Sequence, residues 1–202
     1  MAVAVEHEQR RKKILEKALT VFMDDGFENA TFQKIADRCG ITRTILYLYF
    51  KNKREIFTYS IKQLLLNVEE NINQITADKS LKSADKIIKI LMSIFDLVEK
   101  NRQLLCVVLD YLLHISKGDA DPETKVRRRT LKFRRILSSL LIEGVKQKEI
   151  KKVDIKLVSD FLYSFVESAI FQIVVLKRKT LNELMDTVVF AVKQIEAGAS
   201  GS

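Results

Sequence analysis

Seven side chains between Thr31 and Lys53 carry most of the chemistry in this sequence: Thr31, Thr42, Arg43, Thr44, Tyr47, Tyr49 and Lys53. They supply hydroxyls, a guanidinium and an ammonium. All are hydrogen-bond donors and two are cations, a set suited to an anionic surface rather than to bond breaking. Thr42, Arg43, Thr44 and Tyr47 fall at the start and on the outer face of one short helical stretch. Lys53 sits in the first turn of the next, beside free backbone N–H groups where a phosphate oxygen binds well. Catalytic and metal-binding chemistry has no comparable cluster. His7 and His114 are the only histidines, and Cys39 and Cys106 lie far apart. Cys106 and His114 are two turns apart on one predicted helix, a weak spacing for a metal ion. There is no Ser-His-Asp or Cys-His arrangement and no glycine-rich phosphate loop, and carboxylates are scattered over helix faces. The sequence therefore predicts no enzyme, no cofactor and no metal site.

Those donors need two short helices and a tight corner to hold them. Thr31 is placed to cap a helix over 32–38 and Thr42 a second over 42–47, each hydroxyl accepting from a free backbone N–H. Cys39-Gly40-Ile41 joins them, with Gly40 supplying the positive φ of the corner. Ile35, Ala36, Cys39, Ile41, Ile45 and Leu46 form the apolar set that two crossing helices share, Ala36 being small where they approach. Before them, Ile14, Leu15, Ala18, Leu19 and Phe22 mark one face of a helix over 8–23, which Asp24-Asp25-Gly26 should end. After them, Asn52 and Glu55 form a capping-box-like pair opening a long helix to about residue 77.

The run Thr31-Phe-Gln-Lys-Ile35-Ala36-Asp-Arg-Cys-Gly40-Ile41-Thr42-Arg-Thr-Ile-Leu46-Tyr47-Leu-Tyr49-Phe50-Lys-Asn-Lys53-Arg-Glu-Ile56-Phe57 resembles the TetR family of bacterial regulators. Ile14-Leu15, Ala18, Phe22 and Gly26-Phe27 extend the likeness over about a quarter of the chain. The resemblance implies an all-α fold: a three-helix helix-turn-helix head and a C-terminal helical bundle, about nine helices in all. It implies that Thr31, Thr42, Tyr47, Tyr49 and Lys53 touch DNA phosphates. Arg43 and Thr44 would read bases, Tyr47 sharing in that, with Phe50 in the core behind. Cys39 stands where the family usually has Ala, and Thr44 where Gly or Ala is common. Glu143-Gly144-Val145-Lys146 resembles the turn before the family's eighth helix, although Lys148 replaces a frequent Gly.

The rest of the chain reads as helices over 81–99, 102–116, 122–147, 155–177 and 181–196. Asp121-Pro122 starts one of them and Thr180 to Glu183 caps the last as a capping box. Six Gly and one Pro in 202 residues leave too few breakers for a sheet protein. The predicted organisation is a head over 1–57, a body over 58–197 and a flexible end over 198–202. The formal net charge is +9, yet the head holds 11 basic and 8 acidic residues, so position matters more than the sum. Arg10 to Lys13 open the first helix, where cations oppose the helix dipole; phosphate contact and a solvated end both account for them. Lys125, Arg127, Arg128, Arg129, Lys132, Arg134 and Arg135 share a helix with Val126, Phe133, Ile136, Leu137 and Leu140. A solvated face is the simpler reading of that run, with an acidic partner or further DNA contact as its alternative.

Ser164, Ser168 and Gln172 repeat every four residues and, with Leu184, Val188 and Val192 of the last helix, predict the seam of a homodimer. Met92, Phe95, Leu109, Tyr111, His114, Phe133, Phe161 and Phe165 are core residues or, as the resemblance suggests, the lining of a site for a lipophilic effector. The N-terminus lacks a signal-peptide core and the longest apolar stretches are broken by Asp110, Glu167 and Gln172, so a cytoplasmic chain without membrane spans is expected. The predicted function is sequence-specific binding of double-stranded DNA by a homodimer acting as a ligand-responsive repressor on a palindromic operator. The alternative is a protein of the same fold that recruits a protein partner.

Overall fold

The computed structural model describes residues 2–115 and 122–198, with side chains over 5–113 and 127–198. Among the described residues the chain forms nine helices: α1 (Ala2–Asn29), α2 (Phe32–Cys39), α3 (Arg43–Tyr49), α4 (Lys53–Ala77), α5 (Ser83–Lys100), α6 (Arg102–Ile115), α7 (Pro122–Lys146), α8 (Ile155–Val174) and α9 (Asn182–Ile195). The fold is all-α, as the scarcity of breakers requires. α1 starts earlier than its apolar spacing predicts, and Gly26 is non-helical (φ 75°, ψ 170°), so Asp24-Asp25-Gly26 breaks the helix as expected and a second short helical stretch follows to Asn29.

The chain divides into two compact units, residues 1–70 with 106–111, and residues 71–105 with 112–202. The first extends beyond the predicted boundary at 57 because α4 keeps contributing: the Ser60 hydroxyl is buried and donates to the Leu15 carbonyl at 3.0 Å. It also takes in the middle of α6. Tyr111 lies edge-on to Phe27 at 4.5 Å and tilted on Phe57 at 4.7 Å, joining a cluster with Phe22. Tyr111 is thus part of the head's packing. Ile14, Leu15, Ala18, Phe22, Ile35, Ala36, Leu46, Phe50, Ile56 and Phe57 complete this core.

In the second unit α5 is the central helix, burying Ile87, Ile90, Leu91, Phe95 and Val98. α8 buries Leu162, Phe165, Val166, Ala169 and Ile173, and α9 buries Leu184, Val188 and Val192. The last three therefore belong to the protomer's own core. The apolar stripe of α9 is used inside the chain, and what α9 presents outward is Phe190, 65 % exposed. α8 is also long and apolar enough to cross a membrane by length and composition, with a mean hydropathy of 1.4. Its inward face is that of a core helix, and its outward face carries Leu157, Phe161 and Phe171.

Two local details differ from the sequence reading. The predicted capping box at Thr180 does not form. Leu181 is buried and its N–H donates to a Glu99 carboxylate oxygen, so the chain is drawn inward at Leu181 and α9 begins one residue later. Glu183 pairs instead with Arg178 at 2.7 Å. After α7, the N–H groups of Glu149 and Ile150 both donate to the Gly144 carbonyl, and Lys148 adopts φ 60° where a glycine would be unstrained.

Gly144 is needed for space. A Cβ there would stand 2.6 Å from Ile150 Cδ1 and 2.9 Å from Ser83 Cβ. Gly144→Ala is expected to destabilise the protein by about 1–3 kcal/mol, the usual cost of overpacking. A urea titration checks this, with a lowered midpoint at unchanged slope.

Candidate nucleic-acid interface

α2 and α3 meet at the corner that Gly40 makes. Gly40 lies at φ 69°, ψ 34°; its N–H donates to Asp37 and that of Ile41 to Ala36, both at 3.0 Å. Both predicted caps form. Thr31 accepts from the Lys34 N–H at 3.2 Å and Thr42 from the Ile45 N–H at 3.3 Å, leaving each exposed hydroxyl hydrogen free to donate. At the start of α4, Asn52 accepts from the Glu55 N–H at 2.8 Å, while Glu55 reaches back to the N–H of Lys51 and not to that of the cap residue.

A seven-residue helix cannot hold itself in water. α3 is fixed by Leu46 and Phe50, both almost wholly buried. That anchoring turns Thr42, Arg43, Thr44, Tyr47 and Leu48 outward. Leu48, 74 % exposed, has no counterpart in the predicted site. Its signal was its place one turn after Thr44, on the face opposite Leu46.

Arg43 and Tyr47 are held before any ligand arrives. Tyr47 stacks on Phe32 at 4.6 Å, and the Arg43 guanidinium donates to the Tyr47 hydroxyl at 2.9 Å while lying over its ring. Lys53 is half-buried, donates to the Glu28 carbonyl at 2.8 Å and lies over the Phe27 ring at 4.6 Å. One of its three donors is thus used to tie α4 to the end of α1. Tyr49 is half-buried against His7, ring to ring at 4.5 Å. All seven predicted residues therefore lie in the first unit, around α2, α3 and the start of α4.

The charges of the head separate into structural and exposed groups. Arg38 is tied to Asp24 and Thr20, Lys34 to Asp25, and Arg11 lies over the rings of Tyr59 and Phe50. Arg10, Lys12, Lys13, Arg43, Lys51 and Arg54 are exposed. Cys39 is half-buried, and burial pushes its thiol up against a smaller opposite pull from Lys17; it fills space where α1 and α2 adjoin and is not a reactive thiolate. Among the described residues no group of His, Cys, Asp and Glu is arranged to hold a metal ion.

Residues 14–59 match the family described as bacterial regulatory proteins, tetR family. The chain thus carries the helix-turn-helix segment of the TetR family. It is a helix-turn-helix, DNA-binding transcriptional regulator. The fatty acid metabolism regulator protein of Bacillus subtilis is 25 % identical over 170 residues, 80 % of this chain and 84 % of that protein. Among solved structures, a TetR transcription regulator from Haloarcula marismortui superposes with a TM-score of 0.80 at 17 % identity, covering 94 % of this chain and 99 % of that one. The transcriptional regulator FadR of Bacillus subtilis, solved with stearoyl-CoA, gives 0.64 at 22 % identity over 89 % of this chain and 96 % of that one.

The residues predicted to line an effector site fall in both units. Phe95 and Phe165 are buried in the second unit, while Phe161 is 52 % exposed and edge-on to Phe165 at 5.1 Å. Met92 and Phe133 are half-buried there; Leu109 and Tyr111 belong to the first unit. The side chain of His114 lies outside the described residues. A concavity of about 300 Å³ at the start of α9 is lined by Gln172, Arg178 to Leu184 and none of those eight. On α7, Arg134 faces Asp160 at 3.3 Å and the Tyr163 ring, whereas Arg127, Arg128 and Arg135 are exposed.

The cap at Thr42 yields a direct test. Thr42→Ala is expected to cost about 1 kcal/mol of stability through the lost bond to Ile45, whereas Thr44→Ala, which removes no cap, stays within about 0.5 kcal/mol. Parallel chemical denaturation of the two variants distinguishes them.

Proposed function

We propose that this TetR-family chain is a homodimeric repressor that binds a near-palindromic operator and releases it on binding a fatty acyl thioester. The observation that carries the DNA part is the outward face of α3. Arg43, held by Tyr47 and Phe32, presents a fork of N–H donors at the exposed start of a helix, the end that enters a major groove. In this reading Arg43 donates to a guanine, and Thr44 and Leu48 meet thymine methyls or base edges. Thr31, Thr42, Tyr47, Tyr49 and Lys53 donate to phosphates on either side. Repression follows sterically, since a dimer spanning two successive major grooves occupies DNA that polymerase must enter.

Two features support the dimer. Leu157, Phe161, Ser164, Ser168 and Phe171 recur at helical spacing on the outward side of α8, exposed Val175 follows at its C-cap, and Phe190 stands outward on α9. A contiguous exposed apolar face of this kind marks an association surface, and the two serines permit close helix approach. Ser164, Ser168 and Gln172 stay in the proposed seam, and Phe161, Phe171 and Phe190 replace Leu184, Val188 and Val192. The acyl thioester reading rests on the relatives whose names concern fatty acid metabolism or a bound acyl-CoA. The exposed arginines of α7 suit the phosphates of such a ligand. Both α4 and α6 contribute residues to each unit, so a ligand preferring one arrangement of these helices shifts the population of the DNA-binding form.

Two variants separate positioning from reading. Lys53→Ala is expected to weaken binding to all sequences and to lower the salt slope by about one unit for each bound protomer. Arg43→Ala is expected to relax discrimination at one base position, at a cost of about 1–3 kcal/mol on the preferred site. Affinities across a set of singly substituted operators at several salt concentrations give both readouts, and the reverse pattern would exchange the two roles. For the effector, stearoyl-CoA titrated into the protein–operator complex is expected to release the DNA, whereas coenzyme A alone does not. Unchanged operator affinity with stearoyl-CoA bound would contradict ligand-responsive repression.

A further inference from the structure

The first turns of α1 lie outside the segment that matches the family, which begins at residue 14. His7, Arg10, Arg11 and Ile14 recur at helical spacing on one side of α1, and each of the first three has a distinct surrounding. Arg11 rests on the rings of Tyr59 and Phe50, at 4.3 and 5.3 Å from their centroids. His7 stacks on Tyr49 at 4.5 Å, with ring planes 22° apart. Arg10 is exposed and forms no ion pair among the described residues, although Glu6 stands one turn before it. Glu6, His7, Arg10 and Tyr49 together line a shallow groove of about 170 Å³.

We infer that this groove is a further DNA-phosphate site, in which Arg10 holds a backbone phosphate with help from the His7 imidazole and the Tyr49 hydroxyl. The inference rests on the DNA-binding reading of α3, whose last residue is Tyr49, and adds a contact that reading does not contain. Arg11 and His7 act as positioning residues: their packing on Tyr59, Phe50 and Tyr49 sets the start of α1 against the end of α3. Arg10 thereby stands beside the phenol to which the DNA-binding reading gives a phosphate contact. A guanidinium with two free edges, an N–H donor ring and a phenol are three donors around one opening, the arrangement that holds an oxyanion. The donors around this opening suit an oxyanion, and its place beside the end of α3 makes that oxyanion a phosphodiester of the bound DNA. Glu6 is the one opposing charge at its rim and moderates the attraction.

The test measures operator affinity against salt for the full chain and for Arg10→Ala, Glu6→Gln, Lys12→Ala and Lys53→Ala. Losing one phosphate contact lowers the slope by about 0.9 for each bound protomer, which at ~0.1 M salt is about an eightfold weakening per protomer. Arg10→Ala is expected to show this, and Glu6→Gln, which keeps the groove and removes its negative charge, to tighten binding about two- to threefold. Lys12→Ala, on the opposite side of α1, is expected to leave the slope unchanged. The inference is overturned if Arg10→Ala keeps the wild-type slope while Lys53→Ala loses its contact. It is equally overturned if Lys12→Ala and Arg10→Ala behave alike, since that would mean diffuse charge. Absence of salt-dependent binding by the unaltered protein would instead overturn the DNA-binding reading beneath it.

Discussion

Everything the head offers to a ligand depends on two buried residues, one within a helix too short to exist alone and one that caps its end. Leu46 and Phe50 are almost wholly buried, and with Ile35 and Ala36 they fix the rotation of α3 about its own axis. A turn of that helix by one residue would swing Arg43 by about 100° and dismantle the outward set. The corner at Gly40 and the caps at Thr31 and Thr42 then set where α3 begins. The donors are consequences of this packing: Arg43 is ordered because Tyr47 is ordered, and Tyr47 because it lies on Phe32. Such pre-positioning lowers the side-chain entropy lost on binding.

Much of this was legible in the sequence because the relevant interactions are local. The caps at Thr31 and Thr42, the positive φ at Gly40 and the pairing of Asn52 with Glu55 each involve residues within five positions, so residue type and spacing suffice. The buried set of the head was legible for the same reason, its apolar residues recurring at helical spacing. What was not legible depends on tertiary contact. The stripe Leu184, Val188 and Val192 reads equally as core or as interface, and only the packing of α9 against α5 assigns it to the core. The cap at Thr180 failed because a carboxylate more than eighty residues away, Glu99, takes the N–H of Leu181. Tyr111, in the middle of α6, shows no sign in its neighbours that it belongs with Phe27 and Phe57.

Lys53 and Tyr49 show how structural and functional roles share one side chain. Lys53 gives one donor to the Glu28 carbonyl and keeps two, so its position at the start of α4 is fixed by the same contact that leaves it able to bind an anion. Tyr49 is packed by His7 on one side and adjoins Phe50 on the other, which aims its phenol and does not consume it. On α8 the division is by face: the inward residues build the unit's core, and the outward phenylalanines Phe161 and Phe171 leave apolar surface exposed.

The most direct test of the central claim, that the outward face of α3 reads duplex DNA in a paired arrangement, is selection from a random duplex library with the purified full-length chain, followed by sequencing. The account predicts one enriched motif with two inverted half-sites whose centres lie about 34–36 Å apart, roughly one helical turn. Retention of DNA without any enriched motif would contradict sequence reading by α3. A single half-site with no inverted partner would contradict the paired arrangement.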